Sequence, residues 1–152
     1  MHLATYLGLL DNSLRTLADA FRQVGSGHAD EPDVENTCQL LAGRTDAQID
    51  TLAPIIDRYG EHREEEPERL HATGLSGTRG GPVGLLRDLQ DLYLLAALVD
   101  LTWTVVHQAA QALRDHELLN LTTNRQSDTD RQLGWLRTRI KQAAPQALIA
   151  AR

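Results

Sequence analysis

The chain has 152 residues, 41% hydrophobic and only 4% aromatic, with a formal net charge of −6. A chain of this length can bury one sizeable core, while the acidic balance disfavours nucleic acid as a partner, since phosphate neutralisation needs a basic face. One cysteine, Cys38, excludes an intrachain disulfide and a thiolate zinc site.

Ala, Leu, Arg and Asp dominate and β-branched residues are few, which favours helices over strands. Almost all positive charge is arginine, with Lys141 the single lysine. The opening residues lack the basic region and cleavage site of a secretory signal. Asp100 interrupts the most apolar stretch, and no charge-free run reaches the roughly 18 residues of a membrane span. The expected setting is cytoplasmic, with no membrane partner.

The first helix is predicted over about 2–24, with Leu3, Tyr6, Leu7, Leu10, Leu14, Leu17, Phe21 and Val24 on one face. Gly25 and Gly27 suit a carboxyl-terminal cap, and Asp30 or Glu31 before Pro32 suits a new start. The second helix spans about 33–59, with a face of Val34, Cys38, Leu41, Thr45, Ile49, Leu52, Ile55, Ile56 and Tyr59. Pro54 falls on its outer side, where a kink is expected.

Residues 60–81 are aperiodic, acidic at first and glycine-rich at the end, and read as a crossover. About 20 extended residues at ~3.3 Å each could run the length of a bundle. The third helix, about 82–120, is the longest and would measure about 55 Å at ~1.5 Å per residue. Its core face is Leu85, Leu89, Leu92, Ala96, Val99, Trp103, Val106, Ala110 and Leu113. A second apolar stripe, Leu94, Leu98, Leu101 and Val105, lies where a surface helix should be polar. The stretch LTTNRQSDTD reads as a connection, with Ser127 or Asp128 capping a last helix over about 128–151. That helix presents Leu133, Leu136, Ile140, Ala143, Ala147 and Leu148, with Pro145 expected to bend it.

The expected fold is therefore a single all-α domain, 1–152, with short links after the first and third helices and a long one after the second. This layout resembles the ferritin-like four-helix bundle, whose long crossover lies between helices 2 and 3. The alternative is an up-down-up-down bundle with a long loop. The resemblance implies two metals in the core, held by a Glu on each of two helices and Glu-x-x-His on each of the others. The sequence departs from that pattern: the core slots carry Ser13 on the first helix, Thr45 and Gln48 on the second, and Leu133, Leu136 and Ile140 on the fourth.

The residues left for a metal are Asp100 and His107 on the third helix, and Glu68 with His71 in the crossover. Asp100 and His107 share a side of the helix but stand about 10 Å apart along it, so another element would have to complete a site. The plainer reading places both at the edge of the core with ordinary polar partners. Glu68 and His71, like His62 and Glu66, read as a solvated charged loop. Cys38 reads as a buried inert thiol, Gly80 and Gly81 lack the GK[ST] ending of a phosphate loop, and His28 and His116 fit helix termini.

The leading functional expectation is a non-catalytic binding or scaffolding protein without a cofactor. It would form a homodimer through Leu94, Leu98, Leu101 and Val105, with Trp135 contributing. The crossover, through Leu70 and Leu75, is the alternative cover for that face. The rival functions are a metal-dependent oxidase or iron-handling protein using iron or another divalent metal, and a small-ligand binder with a pocket among Tyr6, Tyr93, Asp100 and Trp103, near Thr45 and Gln48.

Overall fold

A computed structural model describes residues 2–60 and 72–151. These residues form five α-helices: α1 (Leu3–Gly27), α2 (Pro32–Tyr59), α3 (Gly81–Leu113), α4 (His116–Asn124) and α5 (Gln126–Pro145). A π-helical turn, Gln146–Ala150, follows directly on α5. No strand occurs among the described residues.

The apolar spacing of α1 is realised with one exception: Leu3, Leu7, Leu10, Leu14, Leu17, Phe21 and Val24 are all buried, and Tyr6 is half-buried against them. Helix α2 opens on Pro32, whose missing N–H is no loss in a first turn, with Asp33 and Glu35 beside the positive end of the helix dipole. Pro54 is exposed inside α2 and the helix continues past it to Gly60, which takes φ 78°. Helix α3 buries Leu85, Leu89, Leu92, Ala96, Val99, Trp103, Val106 and Ala110, as its periodicity predicts, whereas Leu113 at its end is exposed.

The carboxyl-terminal third departs from the sequence reading. Helix α3 stops at Leu113 rather than Asn120, because Arg114 turns left-handed (φ 55°) and Asp115 starts a new helix. The Asp115 carboxylate accepts the Leu118 N–H at 3.2 Å, the ordinary N-cap arrangement. The stretch read as a connection is then helical on both sides of Arg125, which keeps right-handed helical angles. Ser127 and Asp128 lie inside the first turn of α5, not at its cap, and Asp128 reaches Arg44 on α2 at 3.6 Å. The Thr122 and Thr123 hydroxyls fold back onto the Leu119 carbonyl at 3.0 and 2.8 Å, which lets two turn-forming residues sit inside a helix.

Four long helices enclose one core. Antiparallel α1 and α2 meet through the Arg22–Asp46 ion pair and through Gly25, which packs on Cys38. Antiparallel α3 and α5 meet through Asp100 and Arg125 at one end and Tyr93 and Arg137 further along. Helix α5 also runs antiparallel to α2, with Arg139 on Asp33 at 2.8 Å and Gln132 on Thr45 at 3.0 Å. The end of α1 meets the start of α3 where His28 contacts Asp88. The carboxyl end of α2 meets the segment after α3, where Arg58 and Tyr59 both reach Asp115. Burial works against the charged form of Asp115, but hydrogen bonds from Tyr59, the Leu118 N–H and Arg58 outweigh it. Together they hold the carboxyl below its usual range.

Candidate functional site

Three polar features and one apolar face stand out on this frame. The first is a latch at the base of the bundle. Asp88, fully buried on α3, accepts from His28 Nε2 at 2.7 Å, from the Arg79 backbone N–H at 2.9 Å and from Arg79 Nη1 at 3.1 Å. Arg79 also reaches Asp91 at 3.0 Å. A buried carboxylate persists only when its lone pairs are met in this way. The latch pins the segment before α3 to both α1 and α3. Gly84 permits the approach, since a Cβ there would lie 2.5 Å from the Arg79 carbonyl carbon and oxygen. His28 is thus more than a helix-terminus residue. Asp88 escaped the sequence reading although it falls between Leu85 and Leu89 on the core face, which was the available signal.

The second feature is a neutral polar layer at mid-height. Ser13, Thr45, Gln48, Thr129 and Gln132 are all buried, and Trp103 is fully enclosed. Counted along their helices from the His28–Asp88 contact, Ser13 and Trp103 are equally far away. Counted from the Tyr59–Asp115 contact, Gln48 and Trp103 lie at nearly the same depth. Gln132 donates to Thr45 at 3.0 Å, and Thr45 donates to the Leu41 carbonyl at 2.8 Å. Gln48 Nε2 and Trp103 Nε1 are buried without a hydrogen-bond partner among the described residues.

The third feature gathers Asp100 and His107, but not around a common point. Asp100 accepts from Arg125 Nη1 at 2.8 Å, and the Arg125 guanidinium stacks 5.4 Å over the Trp103 ring. His107 Nδ1 lies 2.7 Å from Thr122 Oγ1. Thr104, His107, Gln111, Thr122, Arg125 and Gln126 line a cavity of about 420 Å³ there. Arg125, buried at the α4–α5 junction, was hidden in the sequence by the loop-like composition around it.

Among the described residues no group of three or more His, Cys, Asp or Glu side chains is placed to hold a metal. Glu68 and His71, like His62, Glu66 and Leu70, lie outside the described residues. Of the residues expected to share a pocket, Tyr93 lines a cavity of about 290 Å³ with Leu94, Arg137 and Ile140, whereas Trp103, Thr45 and Gln48 are in the core and Tyr6 is half-buried on α1. None of the described cavities joins the five. Burial pushes the Cys38 thiol up to about 12, with the Asp33 charge adding to it, so the thiolate is suppressed.

The apolar face is the outer side of α3. Leu94 is 69% exposed, Leu101 62% and Val105 44%, while Leu98 is half-buried. Leu75, in the segment before α3, lines a groove of about 410 Å³ with Leu94, Leu95 and Leu98 and covers one edge of the stripe. Trp135 on α5 is half-buried against the core. By length and composition α3 would also suffice to cross a membrane, although its inner face is the wall of the core.

No family profile, curated protein or solved structure matches this chain.

Proposed function

We propose that the chain is a non-catalytic, ferritin-like helical bundle that self-associates through the outer face of α3 and acts as a binding or scaffolding protein. The observation that carries the reading is the exposure of Leu94, Leu101 and Val105 on a helix whose opposite face is already the core. The mid-helix carboxylate does not interrupt the stripe, because Asp100 is drawn aside to Arg125. The stripe is also self-complementary. Leu98 and Leu101 flank the midpoint of Leu94 and Val105, so a twofold axis there sets Leu94 of one copy against Val105 of the other, and Leu98 against Leu101.

The ferritin-like chain path is supported by contacts at both ends. Both α2 and α3 run antiparallel to α5, and Arg58 at the end of α2 reaches Asp115 just past α3. Helices α2 and α3 then point the same way, so Gly60 at the end of α2 and Gly81 at the start of α3 lie at opposite ends of the bundle. The buried layer of Ser13, Thr45, Gln48 and Gln132 is neutral, which supports a structural rather than an oxidative role.

Burying three partly exposed side chains on each of two copies supplies about 1 kcal/mol apiece. Association itself costs at least about 4 kcal/mol. The surplus is about 2 kcal/mol at most, so the expected dimer is weak, with a dissociation constant of about 30 mM. Amide resonances followed up to about 5 mM protein should shift with concentration as a minor dimer forms, and Leu101→Glu should abolish the dependence. A wild-type chain with no such dependence up to about 5 mM, or one that floats with neutral phospholipid vesicles through the same stripe, would overturn the dimer. Elemental analysis after loading with ferrous iron and zinc tests the metal reading, and a stoichiometric ion lost in Asp100→Ala or His107→Ala would replace the scaffold with a metal centre.

A further inference from the structure

We propose that the cavity between α3, α4 and the start of α5 binds a small carboxylate, a role separate from self-association. Most of its lining residues carry polar groups, among them Thr104, His107, Gln111, Thr122, Arg125 and Gln126, while Leu119 and the methyl and methylene groups of the others make the larger part of its wall apolar. At about 420 Å³ it lies in the size range of ordinary small-molecule sites.

The donors define the ligand. The Arg125 side chain is 3% exposed, and its hydrogen bonds use Nη1, to Asp100 at 2.8 Å and Thr129 at 3.3 Å, and Nε, to the Thr122 carbonyl at 3.2 Å. Nη2 has no partner among the described residues. A guanidinium N–H held at a cavity wall favours an anionic acceptor over a neutral one. The Thr122 hydroxyl has one hydrogen, and it points to the Leu119 carbonyl at 3.0 Å. His107 Nδ1 then donates to Thr122 Oγ1 across 2.7 Å, which leaves Nε2 unpartnered among the described residues. His107 Nε2 can therefore accept from a hydroxyl on the ligand.

The charge balance selects a single negative charge. Asp100 already offsets Arg125, so a phosphate dianion would meet a nearby carboxylate with one guanidinium to oppose it. A monocarboxylate bearing a hydroxyl matches both open positions.

The test is a titration of uniformly labelled full-length protein with lactate, acetate and inorganic phosphate, followed by amide and imidazole resonances. Lactate should produce saturable shifts at Thr104, His107 and Thr122, acetate weaker ones, and phosphate none. His107→Ala and Arg125→Lys should each weaken lactate by about tenfold, the loss of one good hydrogen bond. If Arg125→Lys fails to fold, His107→Ala and Gln126→Ala carry the comparison. Absence of saturable shifts up to about 50 mM lactate, unchanged affinity in His107→Ala, or tighter binding of phosphate than of lactate would each overturn the proposal.

Discussion

Replacing Gly84 by alanine isolates the contribution of one close approach. Gly84 is buried in the first turn of α3, and an added Cβ would lie 2.5 Å from the Arg79 carbonyl carbon and oxygen. Ordinary contact needs about 3.5 Å or more, so the Arg79 backbone must retreat by about 1 Å. That backbone donates to Asp88 at 2.9 Å, and Asp88 is fully buried. Losing a donor to a buried carboxylate costs about 1.5–3 kcal/mol. The helix-propensity gain of alanine over glycine returns up to about 1 kcal/mol. The net expectation is a loss of about 1–2 kcal/mol, read as a lower midpoint in urea denaturation followed by helical circular dichroism. Gly43 and Gly134, exposed in α2 and α5 with no atom near their Cβ positions, are the controls. Alanine there should stabilise by about 0.5–1 kcal/mol. A Gly84→Ala protein as stable as Gly134→Ala would refute the close approach and the latch built on it.

Asp88→Ala should cost about 3–5 kcal/mol, since it strands a buried histidine and an arginine donor; a loss under about 1 kcal/mol in urea denaturation would contradict the latch. Gln48→Leu removes a buried amide nitrogen that has no partner, so its thermal midpoint should be unchanged or raised, and a marked drop would point to an acceptor for that group. The Asp115 carboxyl is held below its usual range, so its contribution is fully present above about pH 4 and is lost as pH falls through the lower folded value. The stability gap between the wild type and Asp115→Asn should accordingly narrow from pH 4 downward in denaturant titrations. A gap that stays constant to pH 2 would show that Asp115 is not the group responsible.

The helical class and the core faces of α1, α2 and most of α3 were legible because a 3.6-residue period of leucine, alanine and valine depends on neighbours along one helix. So was the exposed stripe of Leu94, Leu101 and Val105, which is the same periodicity read on the opposite side. The break after Leu113 was present in the sequence as an Asp115 cap, but the continuous apolar spacing through Leu118 and Leu119 masked it. Tertiary structure alone decided the polar pairings. His28 and Asp88 are 60 positions apart, and Thr45 and Gln132 are 87. Asp100 and His107 share a helix face, yet they part company because Arg125 and Thr122, brought in by α4 and α5, offer each a nearer partner. Local periodicity reports which side of a helix is apolar. Only the packing of helices far apart in the chain determines which buried polar groups find partners and which, like Gln48 Nε2 and Trp103 Nε1, do not.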